Sequence, residues 1–246
     1  MLILLPPSET KRQGGTGRSL SPGTLSFPAL DPQRRALVGA VVALAGDADA
    51  TIAALKLGPK QHAEVETNRA LRRAATMPAI DRYTGVLFDA LDAQSLSTAE
   101  RAFAGRHVAV HSALFGLIGA LDPIPAYRLS HDSRVPELPL KRHWSASVSA
   151  QLAEHDGLIL DLRSEGYAKL GPAPTDGRVR YVRVLTEAEG GTRRALNHFN
   201  KKAKGAFSRA LIQSGIDFSD VTELLDWAAR GGIRLEDADG ELALIV

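Results

Sequence analysis

Asn197-His198-Phe199-Asn200-Lys201-Lys202-Ala203-Lys204-Gly205-Ala206-Phe207-Ser208-Arg209 is the stretch on which the reading of the fold turns. It carries the cations Lys201, Lys202, Lys204 and Arg209, with Arg193 and Arg194 just before it, and no Asp or Glu interrupts residues 192–216. A basic run of this kind is either a solvated tail or part of a folded domain. The apolar side chains decide between them. Ala203, Phe207, Ala210 and Leu211 recur at i, i+4, i+7 and i+8, which places them on one face of a helix. Asn200 is the expected N-cap and Gly215 the expected residue just past the end. The first turn then holds Lys201, Lys202 and Lys204. Cations there oppose the helix dipole unless an anion sits among them, and the unpaired N–H groups at the same end attract one. The stretch is therefore read either as an anion site, most simply for phosphate, or as the wet face of a surface helix.

Working outward, residues 178–185 alternate as a strand, with residues 192–199 as its partner across a turn at Gly190-Gly191. Residues 219–229 form a helix with Val221, Leu224, Leu225 and Ala228 inward. Residues 233–246 read as a hairpin around Asp237-Ala238-Asp239-Gly240. At the other end, Leu2-Ile3-Leu4-Leu5 is a short buried strand stopped by Pro6-Pro7. Residues 11–28 form an exposed loop. Its Gly14-Gly15-Thr16-Gly17-Arg18-Ser19 hints at phosphate binding but lacks the spacing of a nucleotide P-loop. Asp31-Pro32 opens a helix, residues 48–57 form a second, and Pro59 opens a third running to about residue 75. Pro78 begins residues 79–91, where Gly85 breaks the pattern and permits a hairpin of two short helices. Ser97-Thr98-Ala99-Glu100 is a capping box. Residues 106–112 are a strand with His107 and His111 on one face; at roughly 3.3 Å per residue they lie about 13 Å apart, too far to share a metal ion. Residues 113–121 form a tight apolar turn or short helix. Pro123 and Pro125 keep residues 122–130 irregular; Asp122, Tyr127 and Arg128 beside the apolar run read either as polar groups with a defined job or, for Asp122 and Arg128, as an ion pair bracing the loop. Residues 139–154 are a helix presenting Trp144, Val148 and Leu152, and residues 158–162 a strand that exits into Arg163-Ser164-Glu165-Gly166-Tyr167. The absence of a repeat or linker makes residues 1–246 a single α/β (α+β) domain with a mixed sheet and surrounding helices.

Composition narrows the function. The 246 residues include 44% apolar ones, enough for a core, and a formal net charge of only +2, so any phosphate or nucleic-acid site must come from local clustering. There are no cysteines, which excludes disulfides, thiolate metal sites and thiol redox chemistry. The dispersed histidines and carboxylates make iron chelation a poor expectation. No cofactor or metal is expected. No stretch reaches the length of a membrane span, and the short apolar start is no signal peptide. The expected location is the cytoplasm.

Several segments, in order along nearly the whole chain, resemble the YaaA family of peroxide-stress proteins. Residues 2–11 are similar to the family's start, where Ser-Pro-Ala-Lys-Thr is usual; here the order is Thr10-Lys11. Tyr83-Thr84-Gly85 matches a Tyr-x-Gly element. Ser112, Gly116, Leu117, Leu121-Asp122, Pro125 and Tyr127-Arg128-Leu129 match its most specific segment, with Phe115 in place of a tyrosine. Trp144 matches a Phe-Trp pair, with His143 in place of Phe. Asp161 to Tyr167 parallels Asn-Leu-Ala-Ser-x-Glu-Tyr, with Arg163 replacing a small residue and Gly166 standing where an acidic residue often precedes the tyrosine. Lys201-Lys202-Ala203-Lys204-Gly205 parallels Lys-Lys-Ala-Arg-Gly. The resemblance implies a single α/β fold with a positively charged cleft, a helix-hairpin-helix-like element tied to DNA binding, placed here near residues 65–91, and protection from peroxide by limiting iron-dependent damage.

Three functions follow as expectations. In the first the protein binds DNA in the stress response, with Lys11, Arg72, Arg73, Arg82, Arg128, Lys201, Lys202, Lys204 and Arg209 meeting phosphates. In the second the same cleft holds a phosphorylated or nucleoside-like small molecule and acts as an enzyme. Its candidate lining is Ser8, Thr10, Tyr83, Gly85, Ser112, Asp122, Tyr127, Ser164, Glu165, Tyr167 and Gly205, and the convergence of Lys11, Asp122, Arg128 and Lys202 would mark acid–base chemistry. In the third these loops serve folding or a protein partner.

Overall fold

The computed structural model describes residues 1–21, 23–187, 193–195, 199–238 and 240–246. The predicted turn at Gly190-Gly191, the residues Asn197 and His198, and Asp239 of the terminal hairpin lie outside these.

The chain opens with strand β1 (Leu2–Leu5), all of it buried. Four consecutive apolar residues hidden on both faces are what a central parallel strand requires. Strand β2 (Gly17–Ser19) follows within the predicted loop. Its glycines are there for packing: a Cβ on Gly15 or Gly17 would fall within 2.4 Å of Thr76. The glycine run thus lies against a strand and does not form a phosphate loop. Helix α1 (Asp31–Leu44) begins at the Asp-Pro pair, and α2 (Ala48–Leu55) is capped by the Asp47 carboxylate on the Ala50 N–H. The long third helix is not formed. In its place stand a 3-10 turn at Pro59–Gln61, a short α3 (Glu64–Arg69) and strand β3 (Ala75–Pro78), because residues 75–78 pair with strands on both sides.

Helices α4 (Ala79–Arg82) and α5 (Val86–Leu91) flank Gly85, whose φ of +94° only glycine adopts readily. The capping box holds as read, with Ser97 and Glu100 bonding each other's backbone N–H at the start of α6 (Thr98–His107). His107 ends that helix, so β4 (Val108–Ser112) starts later than expected. The apolar run after it is a β-hairpin and not a helix: β5 (Gly116–Gly119) pairs antiparallel with β4. Strand β6 (Pro123–Ile124) pairs with β3. Helix α7 (Leu140–Ala153) buries Trp144, Val148 and Leu152 completely. Then come β7 (Ile159–Asp161), α8 (Glu165–Ala168), β8 (Val179–Glu187), β9 (Arg193–Ala195), α9 (Phe199–Ser214), α10 (Val221–Arg230), and the hairpin β10 (Leu235–Ala238) and β11 (Glu241–Ile245).

The main sheet runs β10-β11-β8-β7-β1-β4-β5, with β9 added on β8. Contacts β4–β1, β1–β7, β7–β8 and β8–β11 are parallel, and β5, β9 and β10 are antiparallel additions. A second small sheet runs β2-β3-β6. The fold is mixed α/β, as expected. Among the described residues no helix is long and apolar enough to cross a membrane.

Candidate functional site

Strands β1 and β7 are neighbours, but the next strand of the same sheet after β1 is β4, on one side, and after β7 is β8, on the other. Where adjacent parallel strands send their connections in opposite directions, a crevice is left at their carboxyl ends, and open α/β sheets bind ligands there. A cleft of about 620 Å³ opens at this point. Its walls are Pro6 to Thr10 after β1, Thr84 to Phe88 around the start of α5, Ser164, Glu165 and Tyr167 after β7, Tyr181 to Val184 of β8, and Asn200, Lys201 and Lys204 of α9.

The β1 exit loop is held by the Tyr83-Thr84-Gly85 element. The Thr84 N–H donates to the Thr10 carbonyl (3.2 Å), the Thr10 hydroxyl to the Thr84 carbonyl (3.3 Å), and Lys11 bridges to Tyr83. Gly85 brings the backbone so close that a Cβ there would lie 3.3 Å from the Thr10 Oγ1 and 3.4 Å from the Ser8 Oγ. Behind this loop the Lys11 ammonium donates to the Ser8 carbonyl (2.9 Å) and lies 4.0 Å from the Tyr127 ring centroid. Burial, then the nearby Arg128 charge, lower its pKa to about 7. Beneath it, Tyr83 and Tyr127 share a hydroxyl hydrogen bond (2.8 Å) and Tyr127 bonds Ser112 (2.7 Å). Burial pushes Tyr127 up to about 12. Ser112 also accepts from the Leu114 and Phe115 N–H groups, which forms the tight turn after β4. Ser112, Tyr83 and Tyr127 therefore support the loop from the core and do not line the cleft.

On the opposite wall, α9 brings its first turn to the cleft. Lys201 is exposed there, and Lys204 is buried with only 4% exposure. The Lys204 ammonium donates to the Leu162 carbonyl (3.0 Å) and lies 5.1 Å from the Tyr181 ring. Burial lowers its pKa to about 8. Next to these the Asn200 Oδ1 is buried and has no hydrogen-bond partner among the described residues. The α9 stripe of Lys201, Lys204, Gly205 and Ser208, aligned by i, i+3, i+4 and i+7 spacing, is mostly a packing face. A Cβ on Gly205 would lie 2.1 Å from the Leu87 carbonyl of α5, and the buried Ser208 hydroxyl donates back to the Lys204 carbonyl. Lys201 alone of that stripe stays open to solvent.

The remaining expected contacts go elsewhere. Arg82 is fully buried; its guanidinium donates to the carbonyls of Ile124, Ala75 and Arg12. Arg209 donates to the Leu91 and Asp92 carbonyls and to the Ser95 hydroxyl, closing the end of α5. Asp122 and Arg128 do not pair with each other. Asp122 accepts from the Ser26 N–H, the Ser26 hydroxyl and the Gly119 N–H, whereas Arg128 bonds Glu9 at 2.7 Å. Arg73 and Lys202 are exposed outside the cleft, and Arg72 lines a separate pocket. Thus Lys11, Asp122, Arg128 and Lys202 do not converge as acid–base machinery would. Among the described residues no group of three His, Asp or Glu side chains could hold a metal ion.

The sequence reading missed Arg183, Tyr181 and His131 in the walls. Tyr181 and Arg183 stand two apart on β8 and so share a face, a signal that was present in the alternation. Arg183 is gripped by both oxygens of Glu241 (2.7 and 2.8 Å), so its charge is partly spoken for. With Glu9 and Glu165 also present, the walls are mixed in charge, and the wall cations that have no carboxylate partner among the described residues, Lys201 and Lys204, lie on α9. His131 had no sequence signal. It packs on Gly166: a Cβ there would sit 2.2 Å from the His131 Nε2, so a side chain at this position requires the exposed His131 ring to move aside. Arg163, another departure, is buried on the Asp161 carboxylate (2.7 and 2.8 Å) and donates to His111 and to the Gly171 carbonyl.

Residues 1–236 match the family model described as "Peroxide stress protein YaaA". The chain belongs to this family. Relatives include a UPF0246 protein of Corynebacterium glutamicum (strain R), 42% identical across 96% of this chain and 95% of its own. A UPF0246 protein of Corynebacterium efficiens is 41% identical across the whole of both chains, and one of Streptomyces coelicolor is 40% identical across 96% of this chain and 92% of its own. Segments that stand apart along the sequence meet in space: the Ser8 to Lys11 loop, the Tyr83-Thr84-Gly85 turn, the β7 exit and the Lys201 to Gly205 turn all border or support one cleft.

Proposed function

We propose that this member of the peroxide-stress family binds DNA at the switch-point cleft, with a backbone phosphate taken up at the start of α9, and thereby helps limit iron-dependent oxidative damage. The observation that carries this reading is the delivery of Lys201, the desolvated Lys204 and the positive end of a 16-residue helix to one cleft at the carboxyl ends of β1 and β7. Contacts to phosphate give affinity without base preference and release counterions. Binding of a labelled duplex, followed by fluorescence anisotropy, is expected to weaken steeply between about 50 and 200 mM salt. Lys201→Ala should weaken it for all sequences alike and reduce the salt slope by about one. A duplex that does not bind at low salt rejects the proposal.

A second reading has its own support. The cleft volume, about 620 Å³, lies within the range of roughly 300–1,000 Å³ usual for small-molecule sites. In that reading a free phosphorylated, nucleoside-like molecule occupies it. Calorimetry with a nucleoside monophosphate separates the two: one-to-one binding that DNA does not compete away favours the small molecule.

A further inference from the structure

A second pocket of about 370 Å³ lies away from the cleft, between the loop that follows β2 and the first half of α1. Its floor is apolar, made by Leu25, Val38 and Phe115. Its mouth carries Arg35 and Arg72, both exposed and neither in a hydrogen bond or ion pair among the described residues. The two converge. The Arg72 guanidinium lies against Gly39, where a Cβ would be 3.5 Å from its Nη2, and Gly39 stands one turn beyond Arg35 on the same face of α1. Asp31, the acid in the described lining, does not neutralise them, because Arg34 holds it at 2.9 Å. Arg34 also donates to the carbonyls of Phe115, Ser26 and Leu117.

Two unpaired guanidiniums on one pocket leave its mouth positive, and an anion there gains charge-assisted hydrogen bonds. An apolar floor of this size adds nothing for a bare inorganic anion but favours an apolar body. We infer that this pocket binds an amphipathic anion, a compact apolar or aromatic body carrying one carboxylate, sulfonate or phosphate, with the head group between Arg35 and Arg72 and the body over Phe115 and Val38. Nothing in this inference depends on what occupies the cleft.

The probe is 1-anilinonaphthalene-8-sulfonate, whose fluorescence rises on entering an apolar site. One-to-one binding to the folded protein is expected, weakened at high salt. Arg35→Ala with Arg72→Ala should reduce affinity about tenfold, as two solvent-exposed charge contacts are lost. Val38→Trp should fill the floor and abolish binding; circular dichroism melting reports whether that variant is folded, and Val38→Phe replaces it if it is not. Lys201→Ala, in the other cleft, should bind the probe as wild type does, and inorganic phosphate should not compete at equal concentration. No fluorescence rise, unchanged affinity in the double arginine variant, or loss of binding in Lys201→Ala each overturns the inference.

Discussion

Lys204 illustrates how position governs a cation. Its ammonium lies buried on the Leu162 carbonyl with its pKa lowered to about 8, so it loses its charge within an accessible pH range. An anion meets the protonated form. Affinity of the cleft for duplex DNA should therefore fall as pH rises through about 8, and Lys204→Met should remove that dependence while leaving the salt dependence contributed by Lys201. Anisotropy titrations at pH 7 and pH 9 measure both. Asp122 makes the opposite point: a residue expected near the site is a brace. It accepts three hydrogen bonds, two from Ser26 and one from Gly119. Asp122→Ala would leave those donors unpaired in a buried place and should cost about 3 kcal/mol, read as a shift in the urea midpoint with unchanged slope.

At the scale of elements, the contact of α5 with α9 sets one wall of the cleft, and Gly205 sets the spacing. Replacing a helix-interior glycine by alanine gains about 1 kcal/mol of helix propensity. Here the new methyl would lie 2.1 Å from the Leu87 carbonyl, and overpacking costs roughly 1–3 kcal/mol. The clash is with backbone, which cannot rotate away, so the cost should win. Gly205→Ala is expected to be destabilised in urea and, by pushing α9 from α5, to bind DNA more weakly than its stability loss alone explains. Helix α9 was legible as a helix because its apolar period is strong. Strands β3 and β5 were not legible, because four residues are too few for an alternation to show; the glycines at the ends of β5 and the proline that ends β3 read as turns.

Across the whole molecule, buried amines make stability depend on pH in an unusual direction. Lys11 and Lys204 have folded pKa values of about 7 and about 8, against about 10.4 in an unfolded chain. Between those values the unfolded state holds more protons, so stability rises with pH from about 7 towards 10. Tyr83, Tyr127 and Tyr167 are raised above their ordinary value by burial, so the unfolded chain loses those protons first and stability falls again above about 10. Thermal melting should show its maximum Tm on the alkaline side of neutrality, and Lys11→Met together with Lys204→Met should flatten the rise between pH 7 and pH 9.5.

The local elements of this protein follow from the sequence by itself: the β1 strand from four apolar residues before Pro6-Pro7, α6 from its capping box, α7 from the Trp144, Val148, Leu152 stripe, and a basic α9. Those signals are local, set by period and by capping chemistry within a few residues. The family, too, was readable, since its motifs lie in order along the chain. What the tertiary structure alone decided is which charges face outward. Arg82, Arg128, Lys204 and Arg209 are as cationic in the sequence as Lys201, but each met a carbonyl or carboxylate from a segment at least 40 positions distant. A side chain's partner across such a separation depends on strand order, and strand order is fixed by the packing of the whole sheet.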